Sequence, residues 1–203
     1  MWIGSWFSAG ADLGEVFPVP ISDQLNAEYK PAIEAIYHSP KITISQIHGK
    51  AAGIGAGFAM ATDLTIMAED AAYYLAFAAI GLVPDGGITW HLTRALGRKR
   101  ASEMILEGKA IDAKTSLAAG LANRVVSASE LEDAALSWAQ DLSKVAPIAA
   151  REAKAVIGKM DGVGLSDAIS LEAEAQNICQ VTQDHARAVD GFKSKTKVEF
   201  QGN

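Results

Sequence analysis

Two β-branched runs, Lys41–Ile47 (KITISQI) and Leu64–Met67, flank a stretch of small and apolar residues that carries no charge between Lys50 and Asp63. Short apolar runs of this kind read as buried strands. The segment between them holds Gly49, Gly53, Gly55 and Gly57 ahead of the apolar Phe58–Ala61. The pattern predicts a strand, a glycine-rich turn, a short helix and a second strand. Such a turn lets backbone approach a ligand closely and leaves N–H groups free at a helix start, which suits an anion or an oxyanion formed during reaction. Pro84-Asp85-Gly86-Gly87 comes next, one carboxylate amid the apolar Phe77, Ile80, Leu82 and Val83.

The flanking pattern is less regular. Trp2–Phe7 reads as the end of a strand, and Ser8–Leu13 as a small-residue turn with Asp12 placed to cap the next element. Pro18 and Pro20 mark a loop, and a helix is expected from about Ser22 to Tyr37, interrupted at Pro31. Beyond Gly87 the spacing turns helical: Ile88–Leu96 closed by Gly97, Arg100–Glu107 closed by Gly108, and Asp112–Ala119 ending at Gly120. Ala122–Val126 reads as a last short strand. Ser129 is expected to cap a helix reaching about Val145, with further helices at Pro147–Lys159 and Leu165–Lys193, the latter with Ser166 or Asp167 near its cap. The expected fold class is therefore α/β, with a mixed core over residues 1–128 and a helical region over 129–203. The apolar positions Leu165, Ile169, Leu171, Ile178, Val181, Ala188, Val189 and Phe192 cover more than one stripe, which suits packing against a neighbouring subunit as well as the helix's own core.

Composition narrows the partners. Among 203 residues 49% are hydrophobic and 21% charged, as in a globular chain with a sizeable core. A net charge of -6 argues against nucleic acid. One cysteine, Cys179, excludes an intrachain disulfide, fits a reducing compartment and reads as a buried structural thiol. No apolar run approaches the ~20 residues of a membrane span, and nothing at the start resembles an export signal, so the cytoplasm or an organelle matrix is the expected location. His38, His48, His91 and His185 show no metal-ligand spacing, and no nucleophile elbow, P-loop or complete dinucleotide fingerprint is present.

The two glycine turns gain meaning together. Ser8-Ala9-Gly10-Ala11-Asp12-Leu13, then Ile47-His48-Gly49 leading to Gly53-Ile54-Gly55-Ala56-Gly57, then Gly81–Gly87 (GLVPDGG), resemble the enoyl-CoA hydratase/isomerase (crotonase) superfamily. The likeness continues through Leu92–Val126 and Asp184–Lys197, essentially the whole chain. The resemblance implies a crotonase-like spiral of ββα units with a helical C-terminal trimerisation region, acting on acyl-CoA thioesters as a homotrimer or a dimer of trimers. It also implies roughly sixty residues ahead of the Ser8 turn in relatives, one or two supersecondary units that this N-terminally short chain does not carry. No metal or redox cofactor is implied, since CoA belongs to the substrate.

Carried over by motif, the backbone N–H groups of Ala11 and Ile54 would hold a thioester oxyanion, with Ala9, Gly10, Asp12, Gly53 and Gly55 shaping the site. The two glutamates of related hydratases fall where this chain has Gly57 and Phe77. Asp85, after the proline, falls where some related isomerases place an acidic proton shuttle. An apolar setting disfavours its ionised form and raises its pKa toward a useful value; the plainer use of Asp85 is a turn residue bonding its own backbone. Phe77 and Trp90, with Tyr73 and Tyr74, suit either the acyl pocket or the core. Phe192 and Lys195 match positions that contact the adenine end of CoA in relatives. Arg98–Arg100 suits a CoA phosphate or a solvated helix end, and Asp63 a structural partner. The expectation is an acyl-CoA isomerase shifting a double bond. The alternatives are a hydratase using another base, or a catalytically silent acyl-CoA-binding subunit.

Overall fold

The computed structural model describes residues 6–14 and 20–203. The expected features over 1–5 and at Pro18 lie outside those residues. The chain divides into two compact units, Met1–Ser39 with Thr43–Leu136, and Pro40–Ile42 with Ser137–Asn203.

In the first unit the first five strands alternate between two sheets, and the last two add one strand to each. β1 (Trp6–Ser8), β3 (Lys50–Ala52) and β5 (Ala72–Tyr74) are parallel neighbours in one, with β6 (Ala110–Asp112) antiparallel at the edge. β2 (Ile44–Ile47), β4 (Leu64–Ala68) and β7 (Arg124–Val126) are parallel neighbours in the other. Two residues, His48 and Gly49, carry the chain from β2 into β3. Three, Glu69–Ala71, carry it from β4 into β5. Gly49 has φ 55 and its carbonyl accepts the Ala72 amide at 2.8 Å, so corresponding corners of successive turns are bonded together. Two strands at a tight corner and then a helix is one turn of a ββα spiral. β4 is buried along nearly its whole length, as parallel strands covered on both faces are, which is why it reads as continuous apolar sequence.

The glycine stretch departs from the expected plan. Lys50–Ala52 is a strand, not part of the loop, and α3 (Ile54–Met60) opens four residues before Phe58. Glycine is a poor helix former, so propensity misplaces this start. Packing overrides it, because every residue of α3 except Phe58 is buried. Pro31 does not interrupt its helix. α1 (Ile21–Gln24) runs through a π-helical turn at Leu25–Tyr29 into α2 (Lys30–Tyr37), and the wider turn lets the Lys30 amide bond Leu25 O just before the residue that has no amide to offer.

α4 (Ile88–Glu107) is bent at Gly97, whose φ 72 and ψ 164 leave helical space, so two helical pieces meet at the expected glycine. α5 (Ala113–Ala118) is capped by Asp112, which accepts the Thr115 amide at 2.7 Å. α6 (Leu131–Leu142) starts one residue later than a cap at Ser129 predicts; Ser127 rather than Ser129 bonds the side chain of Glu130, at 2.5 Å.

In the second unit α7 (Pro147–Ile157) precedes two helices, α8 (Leu165–Gln180) and α9 (Gln183–Ser194), rather than one. Neither Ser166 nor Asp167 caps α8; Gly164 stands there with no side-chain bond. The break is made by Thr182, whose hydroxyl donates to Cys179 O at 2.8 Å and accepts from His185 N at 3.0 Å, serving both helix ends. Asp184 is 2% exposed. Burial works to raise its carboxyl, but the amides of Gln201 and Gly202 and the Arg187 guanidinium outweigh that and hold it below the usual aspartate range. The carboxylate thereby ties the last residues back to α9. Cys179 is half-buried rather than fully buried.

Candidate active site

β1 ends at Ser8, in register with Ala51 of β3, so the turn after β1 and the turn after β3 leave one sheet side by side. Gly10 has φ 87, and a methyl group built on it would stand 3.0 Å from Ala52 O and 3.6 Å from the Gly53 Cα. A methyl on Gly53, where φ is 51, would lie 3.8 Å from the Gly10 Cα. Left-handed backbone favours glycine at both positions, and at Gly10 the close approach to Ala52 O adds a second reason.

In each turn one amide is engaged and the next is left over. Gly10 N–H donates to Ser8 Oγ at 3.2 Å, and Gly53 N–H donates to Tyr74 O at 3.1 Å. Ala11 N–H has no acceptor among the described residues. Ile54 is the first residue of α3, so its amide has no intrahelical acceptor either. Two backbone donors in adjoining turns, each held by a constrained glycine, form a preorganised place for developing negative charge. Asp12 does not cap a helix: its Oδ1 accepts the Gly14 amide at 2.8 Å and closes the turn. Ala9 is exposed.

The Pro84–Gly87 turn lies over the start of α3. A methyl on Gly86 would meet Ile54 Cδ1 at 2.6 Å, Ile33 Cδ1 at 3.2 Å and the Gly57 Cα at 3.4 Å. Asp85 is half-buried, and its Oδ1 is shielded from solvent with no hydrogen-bond partner among the described residues. Burial raises its pKa above the ordinary aspartate value, against a smaller opposing effect of its own backbone amide. Of the apolar residues expected around Asp85, Phe77 is buried, whereas Ile80, Leu82 and Val83 are 50%, 49% and 80% exposed; Ile54 and Ile33, distant in sequence, approach the neighbouring Gly86. A buried carboxyl with an unpaired oxygen can exchange a proton with a bound substrate.

Phe77 is 6% exposed and its Cζ lies 4.0 Å from where a Gly53 methyl would be, so the ring covers the second turn. Trp90 lies elsewhere: it packs edge-on against Tyr37 at 5.6 Å, with the Arg94 guanidinium 3.8 Å from its ring centre. His91 beside it is pushed down to about 4 by burial and by Arg94. Tyr73 is fully buried, its hydroxyl raised to about 12 chiefly by burial, and belongs to the core. Asp63 accepts from the amide and hydroxyl of Thr43 at 2.7 and 2.9 Å, a structural use. Phe192, 88% exposed, and Lys195, at φ 57 after α9, belong to the second unit, whereas both turns belong to the first. A cavity of about 500 Å³ also lies in the second unit, between α7, α8 and α9. The site is thus defined by unpaired amides and a buried carboxyl, not by cavity size.

Three residues of the site are not among the expected site residues: Ser8, Ile33 and Gly86. Ser8 and Gly86 lie inside the motifs that carry the resemblance, without a role of their own, and Ile33 leaves no signal beyond an apolar helix position.

Residues 3–203 match the family model described as enoyl-CoA hydratase/isomerase. A probable enoyl-CoA hydratase of Rhodobacter capsulatus is 34% identical over 98% of this chain and 78% of its own length. The 1,2-epoxyphenylacetyl-CoA isomerase of Escherichia coli is 30% identical over the same shares. Among solved structures, an enoyl-CoA hydratase from Bacillus anthracis superposes with a TM-score of 0.92 at 30% identity, covering 99% of this chain and 79% of that one.

Proposed function

The chain belongs to the enoyl-CoA hydratase/isomerase family, and within it we propose that this protein is an acyl-CoA isomerase, moving a double bond between the 3- and 2-positions or carrying out a related isomerisation of a ring acyl-CoA. The thioester carbonyl sits between the Ala11 and Ile54 amides. Asp85 removes a proton beside it, the charge develops on the thioester oxygen as an enolate, and Asp85 returns the proton at the other end of the allyl system. No water is consumed, and no metal or redox group takes part. Phe77 and the glycine turns pack around the acyl group. Trp90 is kept as a candidate outer contact, and Phe192 and Lys195 as candidate contacts of the CoA adenine end.

The observation that carries the reading is the conjunction of two unpaired amides in adjoining turns with one shielded, unpartnered carboxyl. Relatives bear both hydratase and isomerase names, so the choice rests on Gly57 and Phe77, which leave no carboxylate at either place to hold a water. Purified protein and its Asp85→Asn variant, given 3-enoyl-CoA and separately 2-enoyl-CoA, decide the matter. Isomerisation that falls by about 10²-fold or more in the variant is expected. Equal activity in both, or water addition as the main reaction, overturns it.

We also propose a homotrimeric assembly in the cytoplasm, in line with the apolar Leu165, Val181 and Phe192, which are 79%, 79% and 88% exposed. A solution mass of one chain, 21.3 kDa, overturns the assembly. Among the described residues no helix is long and apolar enough to cross a membrane.

A further inference from the structure

We propose that Ser8 is a positioning residue that sets the spacing of the two amide-bearing turns, an inference that rests on the reading of Ala11 and Ile54 as the oxyanion donors. Ser8 is the last residue of β1, and its side chain touches both turns at once. To the first it is bonded: Oγ accepts the Gly10 N–H at 3.2 Å. Against the second it is packed: a methyl group on Gly55, the residue after Ile54, would fall 2.4 Å from both Cβ and Oγ of Ser8. No side-chain carbon fits there, so Ser8 stands directly on the α3 backbone.

The donors are affected in two ways. The Gly10 amide precedes the Ala11 amide and would compete with it for an anion; the Ser8 hydroxyl occupies it. Gly10 holds φ 87, with no room for a methyl group beside Ala52 O, and the bond to Ser8 anchors that turn two residues from the strand. The Ile54 amide is held at a fixed distance because Gly55 rests on the same side chain. One hydroxymethyl group therefore acts as the spacer between two elements 45 positions apart in the chain, read from Gly10 and Gly55. Ser8 does not touch the reacting atoms, and its effect passes through the turns.

A spacer acts on the oxyanion and leaves the rest of the substrate's binding alone, and this separates it from a residue that only maintains the fold. The experiment uses the full chain as wild type, Ser8→Ala, Gly55→Ala and the pair Ser8→Gly with Gly55→Ala. It measures kcat and KM on 3-enoyl-CoA, the thermal midpoint, and the enolate absorbance of bound acetoacetyl-CoA as a function of pH. Acetoacetyl-CoA is the probe because its enolate places a full charge where the intermediate would.

Ser8→Ala keeps Cβ and loses the acceptor. The expected result is a fall in kcat of about 10- to 100-fold, the scale of a small misplacement of catalytic groups. KM should stay within about threefold, and the apparent pKa of the bound probe should rise as its enolate loses stabilisation. Gly55→Ala alone should lose more, and removing the Ser8 side chain in the same molecule should restore part of the loss, because the overlapping atoms are gone. A wild type that fails to favour the enolate of bound acetoacetyl-CoA overturns the oxyanion reading and the Ser8 role with it. A wild type that does so, beside a Ser8→Ala variant with the same kcat and the same probe titration, overturns the Ser8 role alone. So does a variant whose only change is a lower thermal midpoint.

Discussion

Gly57 of α3 and Gly86 of the Pro84–Gly87 turn meet backbone to backbone: a methyl group on Gly57 would stand 2.8 Å from the Gly86 carbonyl oxygen and 3.1 Å from its Cα. Position 57 is one of the two where related hydratases carry a glutamate. Here the Asp85-bearing turn lies against it. The missing glutamate and the present aspartate are thus one arrangement, since a side chain at 57 and this course of the turn exclude each other.

Gly57→Ala is therefore expected to destabilise the protein by about 1–3 kcal/mol, as overpacking a close contact does, and to lower isomerisation further by displacing Asp85. Gly57→Glu combined with Phe77→Glu should restore no hydration, because the turn blocks the first carboxylate. The thermal midpoint and water addition to 2-enoyl-CoA check this. Hydration by the double variant, with the turn in place in its crystal structure, would count against the exclusion.

Gly10→Ala tests the first turn. A left-handed residue with Cβ carries about 1–2 kcal/mol of strain, and the methyl would also press on Ala52 O at 3.0 Å. We expect kcat on 3-enoyl-CoA to fall by about 10²-fold. Gly162→Ala supplies the comparison: φ is 71 there but nothing lies within 4 Å of the added methyl, so strain is imposed without a close approach. It should lower the thermal midpoint and leave kcat unchanged. Equal kcat losses in the two would mean that strain alone, not the contact with Ala52, matters.

Asp85 links activity to stability. Its pKa is raised in the folded protein by burial, so the folded state holds the proton more tightly than the unfolded chain. That stabilisation is complete below the ordinary aspartate value of 3.8 and is lost as pH rises through the raised value. At neutral pH the half-buried carboxylate is then a cost, and Asp85→Asn should raise the thermal midpoint while lowering turnover by about 10²-fold or more. The gain should shrink to nothing as pH is lowered past the ordinary aspartate range. Melting curves of both proteins across that range check the sign; a variant less stable at neutral pH would contradict it.

His91 works in the opposite sense. Burial first and Arg94 second lower it from 6.5 to about 4, so the unfolded chain takes up a proton that the folded chain refuses. Its stabilising contribution is complete above 6.5 and is lost as pH falls toward about 4. At about 1.4 kcal/mol per pKa unit the loss is on the order of 3 kcal/mol. His91→Gln should be less stable than wild type at pH 7 through lost packing with Tyr37 and Trp90, and should lose less stability between pH 7 and 4. Parallel melting-point profiles for the two proteins would remove His91 as the cause.

Much of the fold was present in local sequence, because the signals concerned act over a few residues. β4 shows as an apolar run, the bend of α4 as Gly97, and the end of α4 and start of α5 as Gly108 and Asp112. The two turns were visible as glycine clusters, since backbone at φ 87 or 51 admits little else. The starts of β3 and α3 were not visible, because they depend on burial of small residues that have no strong preference of their own. The split between α8 and α9 turned on one hydroxyl at Thr182, and the continuity of α1 and α2 past Pro31 on a π-helical turn.

By itself the sequence determined the chemical inventory of the site: two glycine turns able to expose amides, one aspartate in a turn, and no glutamate at either position 57 or 77. Only the tertiary structure decided how these parts act together. It set Gly10 against Gly53, Ser8 against Gly55 and Gly86 against Gly57, and it shielded Asp85 Oδ1 while Leu82 and Val83 beside it stay exposed. The physical reason is range. Backbone preference is a property of one residue and its immediate neighbours, whereas close approach and desolvation belong to pairs that only the folded chain brings together.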